Sequence, residues 1–209
     1  MLLLQLLLSV DYSGFFAFIL TNSKLFPIFC VPVWQPANAL IIPDSVLKNW
    51  LLDTSSLTER LQSCSRQFSV KVLGQGIAPT QSAERQLIDL QDDQPIVREV
   101  LLQGNQQPWV YARTLMPKAL CEDGVNRLAD LGDKPLGKVI FNDSRFVRQP
   151  FEICCFQGAS ALHQALSLPH EQVLWGRRSV FTYQQYKMTV AEIFLPGAPS
   201  YKNMSIRVK

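Results

Sequence analysis

Residues 96–116 read IVREVLLQGNQQPWVYARTLM, two runs rich in Val, Leu and Tyr on either side of Gly104-Asn105-Gln106. Such side chains suit a pleated, half-buried surface, and a Gly-Asn turn signal between two such runs predicts an antiparallel hairpin. A second hairpin is expected over residues 178–183 and 188–195, closed by Pro196 and Gly197. Phe68, Val70 and Val72 alternate with Ser69 and Lys71, a half-buried strand that Gly74-Gln75-Gly76 is expected to end. A lone Gly-x-Gly is too weak a signal for a phosphate loop. A further strand is expected over 146–156, followed by a polar insertion at 157–170 with short helical character.

Helices are punctuated between these strands. Asp44 or Ser45 can cap a helix whose Val46, Leu47, Trp50 and Leu51 form one apolar stripe. Ser56-Leu57-Thr58-Glu59 has the form of a capping box. A helix over 122–131 is expected to stop at Gly132, and Pro135 suits the first turn of another that carries Leu136, Val139 and Ile140. Strand and helix do not alternate as a parallel sheet requires. The expected class is α+β: a single domain, an antiparallel β-sheet with helices packed on one side.

Composition narrows the function. A length of 209 residues fits one domain, and a formal charge of +3 is too small to imply nucleic-acid binding, although it suits an anionic small molecule. The two histidines and the absence of a CxxC pair make a metal site unexpected. Five scattered cysteines, two of them adjacent, read as reduced apolar filler in a cytoplasmic protein. Residues 1–30 form an apolar extension of doubtful status, read first as a start assigned too early, then as an anchor or targeting segment, then as structure packed on the domain. The run from Met1 to Leu20 resembles a signal peptide or anchor, yet no Lys or Arg precedes Lys24, and Asp11 and Gly14 interrupt it. Pro27, Pro32 and Pro36 are expected to uncouple it from an organised domain over 31–205.

Charges on apolar strands suggest the chemistry. If Asn105-Gln106 is a two-residue turn, Arg98 lies directly opposite Arg113. Like charges so placed repel unless an anion sits between them, and each guanidinium offers a fork that fits a carboxylate. The alternatives are a solvated face or pairing with acids elsewhere. A three-residue loop would move Arg113 to the other face. Glu192 is the sole charge in MTVAEIFL (188–195). A buried carboxylate needs a partner or a raised pKa, and the latter suits acid–base work. Trp175-Gly176-Arg177-Arg178 reads as a structural turn with ion pairs.

Several segments occur together in order: Trp50-Leu51-Leu52 with Ser56-Leu57-Thr58, Arg98-Glu99-Val100-Leu101-Leu102, Pro108-Trp109 with Ala112-Arg113-Thr114, Pro135-Leu136-Gly137, the WGRRS run 175–179 and the EIFLP run 192–196. With this set, residues 33–201 resemble the bacterial chorismate pyruvate-lyase family of ubiquinone biosynthesis. The resemblance implies cofactor-independent conversion of chorismate to 4-hydroxybenzoate and pyruvate by a buried site, with Leu57, Arg98, Leu136 and Glu192 at the family's site positions. Leu57 stands where the family usually has methionine, a swap that conserves volume. By this resemblance Arg98 clamps the ring carboxylate. Arg113 meets the second carboxylate or steadies the leaving enolpyruvate. Glu192 accepts the ring hydroxyl or takes the ring proton. A monomer with no stable membrane contact is expected. The competing class is a non-catalytic small-molecule sensor of the UTRA type, although residues 1–43 are too short and proline-rich for the winged helix-turn-helix that normally precedes such a domain.

Overall fold

The computed structural model describes residues 26–201 apart from 29, 31, 91–93, 123–127 and 159. Among these, eight strands form one antiparallel sheet: β1 (Gln35–Pro36), β2 (Phe68–Ile77), β3 (Ile96–Gly104), β4 (Gln107–Met116), β5 (Val147–Arg148), β6 (Glu152–Phe156), β7 (Leu174–Tyr183) and β8 (Tyr186–Phe194). Their spatial order is β1-β6-β7-β8-β4-β3-β2, with β5 also paired to β7. The helices are α1 (Ser45–Leu52), α2 (Leu57–Ser63), α3 (Ser82–Leu87), α4 (Lys118–Glu122), α5 (Leu136–Asn142) and α6 (Ala161–Ala165). The chain is thus the α+β single-sheet domain expected from its sequence.

The helix starts follow their caps. Asp44 accepts from the amides of Val46 and Leu47, both at 2.9 Å, and Ser56 accepts from Glu59 N at 3.4 Å. Leu47, Leu51 and Leu61 then enter a core shared with Val100, Leu102, Val110 and Phe194 on one sheet face. Helix α5 and Leu120 of α4 extend that layer over Met116, Phe181 and Met188. The opposite face is covered by α6 and by Ile28, Cys30 and Trp34 from the chain before β1, around Leu73, Tyr111, Cys154 and Ile193.

Five local expectations change. The strand from Phe68 runs through Gly74-Gln75-Gly76 to Ile77, with a bulge between Val72 and Gly74, because β3 keeps pairing with it as far as Ile96. The expected strand 146–156 is split into β5 and β6, both along β7, around Pro150, which has no amide to give the ladder. Helix α4 ends at Glu122, where a helix was expected to begin; residues 123–127 of that expected helix lie outside the described residues, and a 3-10 turn occupies Leu128–Asp130. Residues 175–178 are strand rather than turn. Of the five free cysteines, Cys64 and Cys155 are exposed rather than filler.

The expected start of the domain also moves. Residues 1–25, with the apolar run, lie outside the described residues, but Ile28 is 3% exposed and donates its amide to Glu99 Oε2 at 2.8 Å. Phe26 stacks so close to Gly74 that a Cβ there would lie 2.2 Å from its ring. The packed body therefore includes Phe26–Ile28, upstream of Val31, and the prolines do not uncouple this stretch. Among the described residues no helix is long and apolar enough to cross a membrane.

Candidate active site

The position of every strand side chain depends on the β3–β4 register. Asn105 and Gln106 form the expected two-residue turn, both at positive φ, so Gly104 pairs with Gln107 and Gln103 with Pro108. The register then slips by one residue, and Leu102 pairs with Val110. Pro108 cannot donate to the ladder, and Trp109 folds across Gly104, where a Cβ would lie 2.2 Å from the indole. Arg98 consequently faces Thr114, and Arg113 faces Glu99. A one-residue slip reverses the side-chain face, so the two arginines leave the sheet on opposite sides.

On the helix-covered face, Arg98 is 3% exposed. Its Nη1 donates to Gln75 Oε1 at 2.7 Å, and Nη2 donates to the carbonyls of Gly132 (2.9 Å) and Lys134 (3.2 Å). Gln75 is itself oriented by donating Nε2 to Leu128 O and Ala129 O at 3.2 and 3.0 Å. Every one of these acceptors is neutral. Burial pulls the guanidinium down to about 10, with Asp133 opposing the shift, so Arg98 is a cation at neutral pH in poorly solvating surroundings. Such a group favours an incoming anion.

Glu192, on β8, pairs across the ladder with Arg177 of β7. Arg177 Nε donates to Glu192 Oε2 at 2.6 Å, and its Nη1 donates to Trp50 O and Asp53 O at 3.0 and 2.7 Å. These carbonyls belong to the last turn and C-cap of α1, which carries no basic residue in its own last turn. The carboxylate expected to need a partner thus has one.

Leu57 and Leu136 are the first residues of α2 and α5. The two helices approach so closely that a Cβ on Gly137 would lie 2.9 Å from Thr58 Oγ1. Together they roof a cavity whose floor includes Arg98, Thr114, Ser179, Val190 and Glu192. Arg148, Phe141 and Phe151 complete one side. Four sequence-predicted residues, Leu57, Arg98, Leu136 and Glu192, therefore line one cavity. Arg98 and Glu192 stand two strands apart, roughly 10 Å across the sheet. Around it three guanidiniums (Arg98, Arg148, Arg177) face one carboxylate. Among the described residues no group of His, Cys, Asp and Glu is arranged to hold a metal ion.

Arg113 does not line this cavity. On the other face it donates to Glu99 Oε1 at 2.5 Å, to Glu84 Oε1 and Oε2 at 2.9 and 3.2 Å, and to Pro79 O at 3.3 Å. It locks α3 to the sheet and to the Ile28 segment. Arg113→Met should accordingly lower the melting temperature by several degrees, since Glu99 is wholly buried and would keep no cationic partner. Catalytic efficiency of the folded fraction should stay within about threefold, because the site face is untouched. A loss of turnover without loss of stability would return Arg113 to the site.

Sequence reasoning missed Gln75, Arg177 and Arg148. A period-2 reading of WGRRS would have found Arg177: neighbouring arginines in a strand point to opposite faces, and here Arg177 meets Glu192 while Arg178 meets Glu152 at 2.7 Å. For Arg148 the sequence holds no comparable signal.

A one-sheet domain with a roofed, cation-rich cavity is a binder or converter of a small organic anion. Comparison then gives the family. The family model for chorismate lyase matches residues 30–206. A protein from Pseudoalteromonas atlantica named probable chorismate pyruvate-lyase is 46% identical over 188 residues, covering 88% of this chain and 96% of that one. One from Shewanella sp. W3-18-1 with the same name is 42% identical, covering 75% and 84%. The chain belongs to the chorismate lyase family. A solved ligand-binding domain from Bordetella bronchiseptica, assigned to the GntR family of transcriptional regulators, shares the fold at a TM-score of 0.51 and 10% identity, over 64% of this chain and 86% of that one.

Proposed function

We propose that the protein is a chorismate pyruvate-lyase, releasing pyruvate from chorismate to leave 4-hydroxybenzoate for ubiquinone biosynthesis. Family membership supports the reaction, and the observation that carries the residue roles is Arg98: a buried cation, bonded to neutral acceptors alone, opening into a cavity with a carboxylate on the far side. Chorismate brings a ring carboxylate, an enolpyruvyl ether and a ring hydroxyl. Arg98 takes the ring carboxylate with a guanidinium already held in place. Leu57 and Leu136 close over the ring, and as first helical residues they also carry amides outside the helical ladders. Glu192, fixed by Arg177 through Oε2, presents Oε1 to the ring hydroxyl.

The reaction breaks the ring C–O bond to the enolpyruvyl group and removes the hydrogen from the hydroxyl-bearing carbon. The ring becomes aromatic and the side arm leaves as pyruvate. Aromatisation supplies the driving force, so the protein's work is orientation, exclusion of water and charge stabilisation, none of which calls for a cofactor. Because helices roof the cavity, product release is expected to be slow. The reading includes a cytoplasmic monomer, and gel filtration tests the oligomeric state.

The deciding experiment is to incubate purified protein with chorismate. Equimolar 4-hydroxybenzoate, by its absorbance, and pyruvate, by a coupled assay, are expected. Tight binding of chorismate without turnover would instead identify a sensor.

A further inference from the structure

We propose that Arg148 and Ser179 form the subsite for the second carboxylate of the substrate, the one on the side arm that leaves. The inference rests on the chorismate lyase reading; it takes in Arg148, which lies outside the quoted motifs, and Ser179, which closes the WGRRS run but had no role assigned to it.

Arg148 lies on β5 opposite Phe181 of β7, and Ser179 is two residues along β7 on the same face. Both line the cavity on the side away from Arg98, whose strand β3 lies beyond β8 and β4. Two observations show polar capacity held in reserve there. Ser179 is 3% exposed, and its hydroxyl has no hydrogen-bond partner among the described residues. Buried hydroxyls are normally satisfied, so one aimed into a cavity marks where a ligand atom sits.

Arg148 is the second observation. Its Nη2 donates to Thr54 O at 2.8 Å, and its guanidinium carbon lies 4.6 Å from the Phe151 ring centre and 5.7 Å from that of Phe141. Arg177 approaches the same Phe151 ring, also at 4.6 Å. The two cations thus share one aromatic ring, yet Glu192 makes its close ion pair with Arg177, at 2.6 Å, while it and Asp53 act on Arg148 only as more distant charges. Burial and the repulsion of Arg177 both push the Arg148 guanidinium below its ordinary value. An arriving carboxylate would relieve that repulsion, while Phe141 and Phe151 hold the fork in place.

The chemistry gives the subsite a direction. Chorismate carries two carboxylates, but 4-hydroxybenzoate keeps only the one at Arg98. Arg148 therefore discriminates substrate from product, and it steadies negative charge on the enolpyruvyl group as the C–O bond breaks.

The test separates these ligands. Arg148→Leu, which keeps bulk between the two phenyl rings, should lower kcat/KM for chorismate by about 10–100-fold, the worth of one charge-assisted hydrogen bond. Its inhibition constant for 4-hydroxybenzoate should stay within about twofold of wild type. Ser179→Ala should show the same signature at about 3–10-fold, the worth of a neutral hydrogen bond. Equal losses for both ligands would overturn the proposal, as would unchanged kcat/KM, with folding verified by thermal melting. A wild-type protein that releases no 4-hydroxybenzoate refutes the underlying reading instead, before any variant is made.

Discussion

Arg98→Ala is expected to cut kcat/KM for chorismate by about 10²–10³-fold and to weaken 4-hydroxybenzoate binding in parallel, since both ligands carry the ring carboxylate. A ligand carboxylate left without its charged partner in a closed site costs about 2–5 kcal/mol. The same substitution leaves Gln75 Oε1 and the carbonyls of Gly132 and Lys134 without their donor. A stability loss of about 1–3 kcal/mol should accompany it, so turnover must be read on protein shown to be folded. Arg98→Lys restores charge but not function. An ammonium is a point charge whose three donors leave from one nitrogen, whereas Arg98 spreads Nη1 and Nη2 over three protein acceptors while still facing the cavity. Near-normal turnover by folded Arg98→Ala would remove the residue from the site.

Arg98 and Arg113 show what a sequence can and cannot disclose about this site. Both lie in one hairpin, which is legible because turn chemistry and strand propensity are local signals. Their faces are not, because face depends on a single extra residue at Trp109, set by how its ring packs on Gly104. Symmetric treatment of the two arginines therefore fails for a tertiary reason. One serves a cavity and the other an ion-pair lock with Glu84 and Glu99.

The same division runs through the rest of the chain. Asp44 and Ser56 announce α1 and α2, since a cap acts on amides two or three residues away. Gly74-Gln75-Gly76 looks like a break, yet it is strand, because β3 dictates the pairing and Phe26 occupies the space that the absent Cβ leaves at Gly74. Gln75, and through it the seat of Arg98, could not be read from local propensity. Leu57, Leu136 and Glu192 reached the candidate site through ordered motifs rather than periodicity. Only the structure shows why they belong together: two short helices begin above a sheet whose polar row lies beneath them.

Glu192 offers the prediction that bears most on mechanism. Arg177 holds Oε2 at 2.6 Å, and Arg177 is itself 2% exposed. A carboxylate held in this way has Oε2 committed to a buried guanidinium and leaves Oε1 to accept from a ligand in the cavity. On the proposed reading Glu192 is a fixed hydrogen-bond acceptor for the ring hydroxyl, and the ring hydrogen is expected to pass directly to the enolpyruvyl methylene. Glu192→Gln, which keeps an amide oxygen at this place, should lose about 10–100-fold in turnover and retain 4-hydroxybenzoate binding. Glu192→Leu should be worse on two counts: it removes the acceptor and leaves Arg177 without a counter-charge, which costs about 3–5 kcal/mol of stability. Chorismate deuterated at the hydroxyl-bearing carbon separates the two routes. Direct transfer delivers the label to the methyl group of pyruvate, read by mass spectrometry. Label washed into solvent by the wild-type protein, together with undetectable turnover by a folded Glu192→Gln variant, would make Glu192 the base.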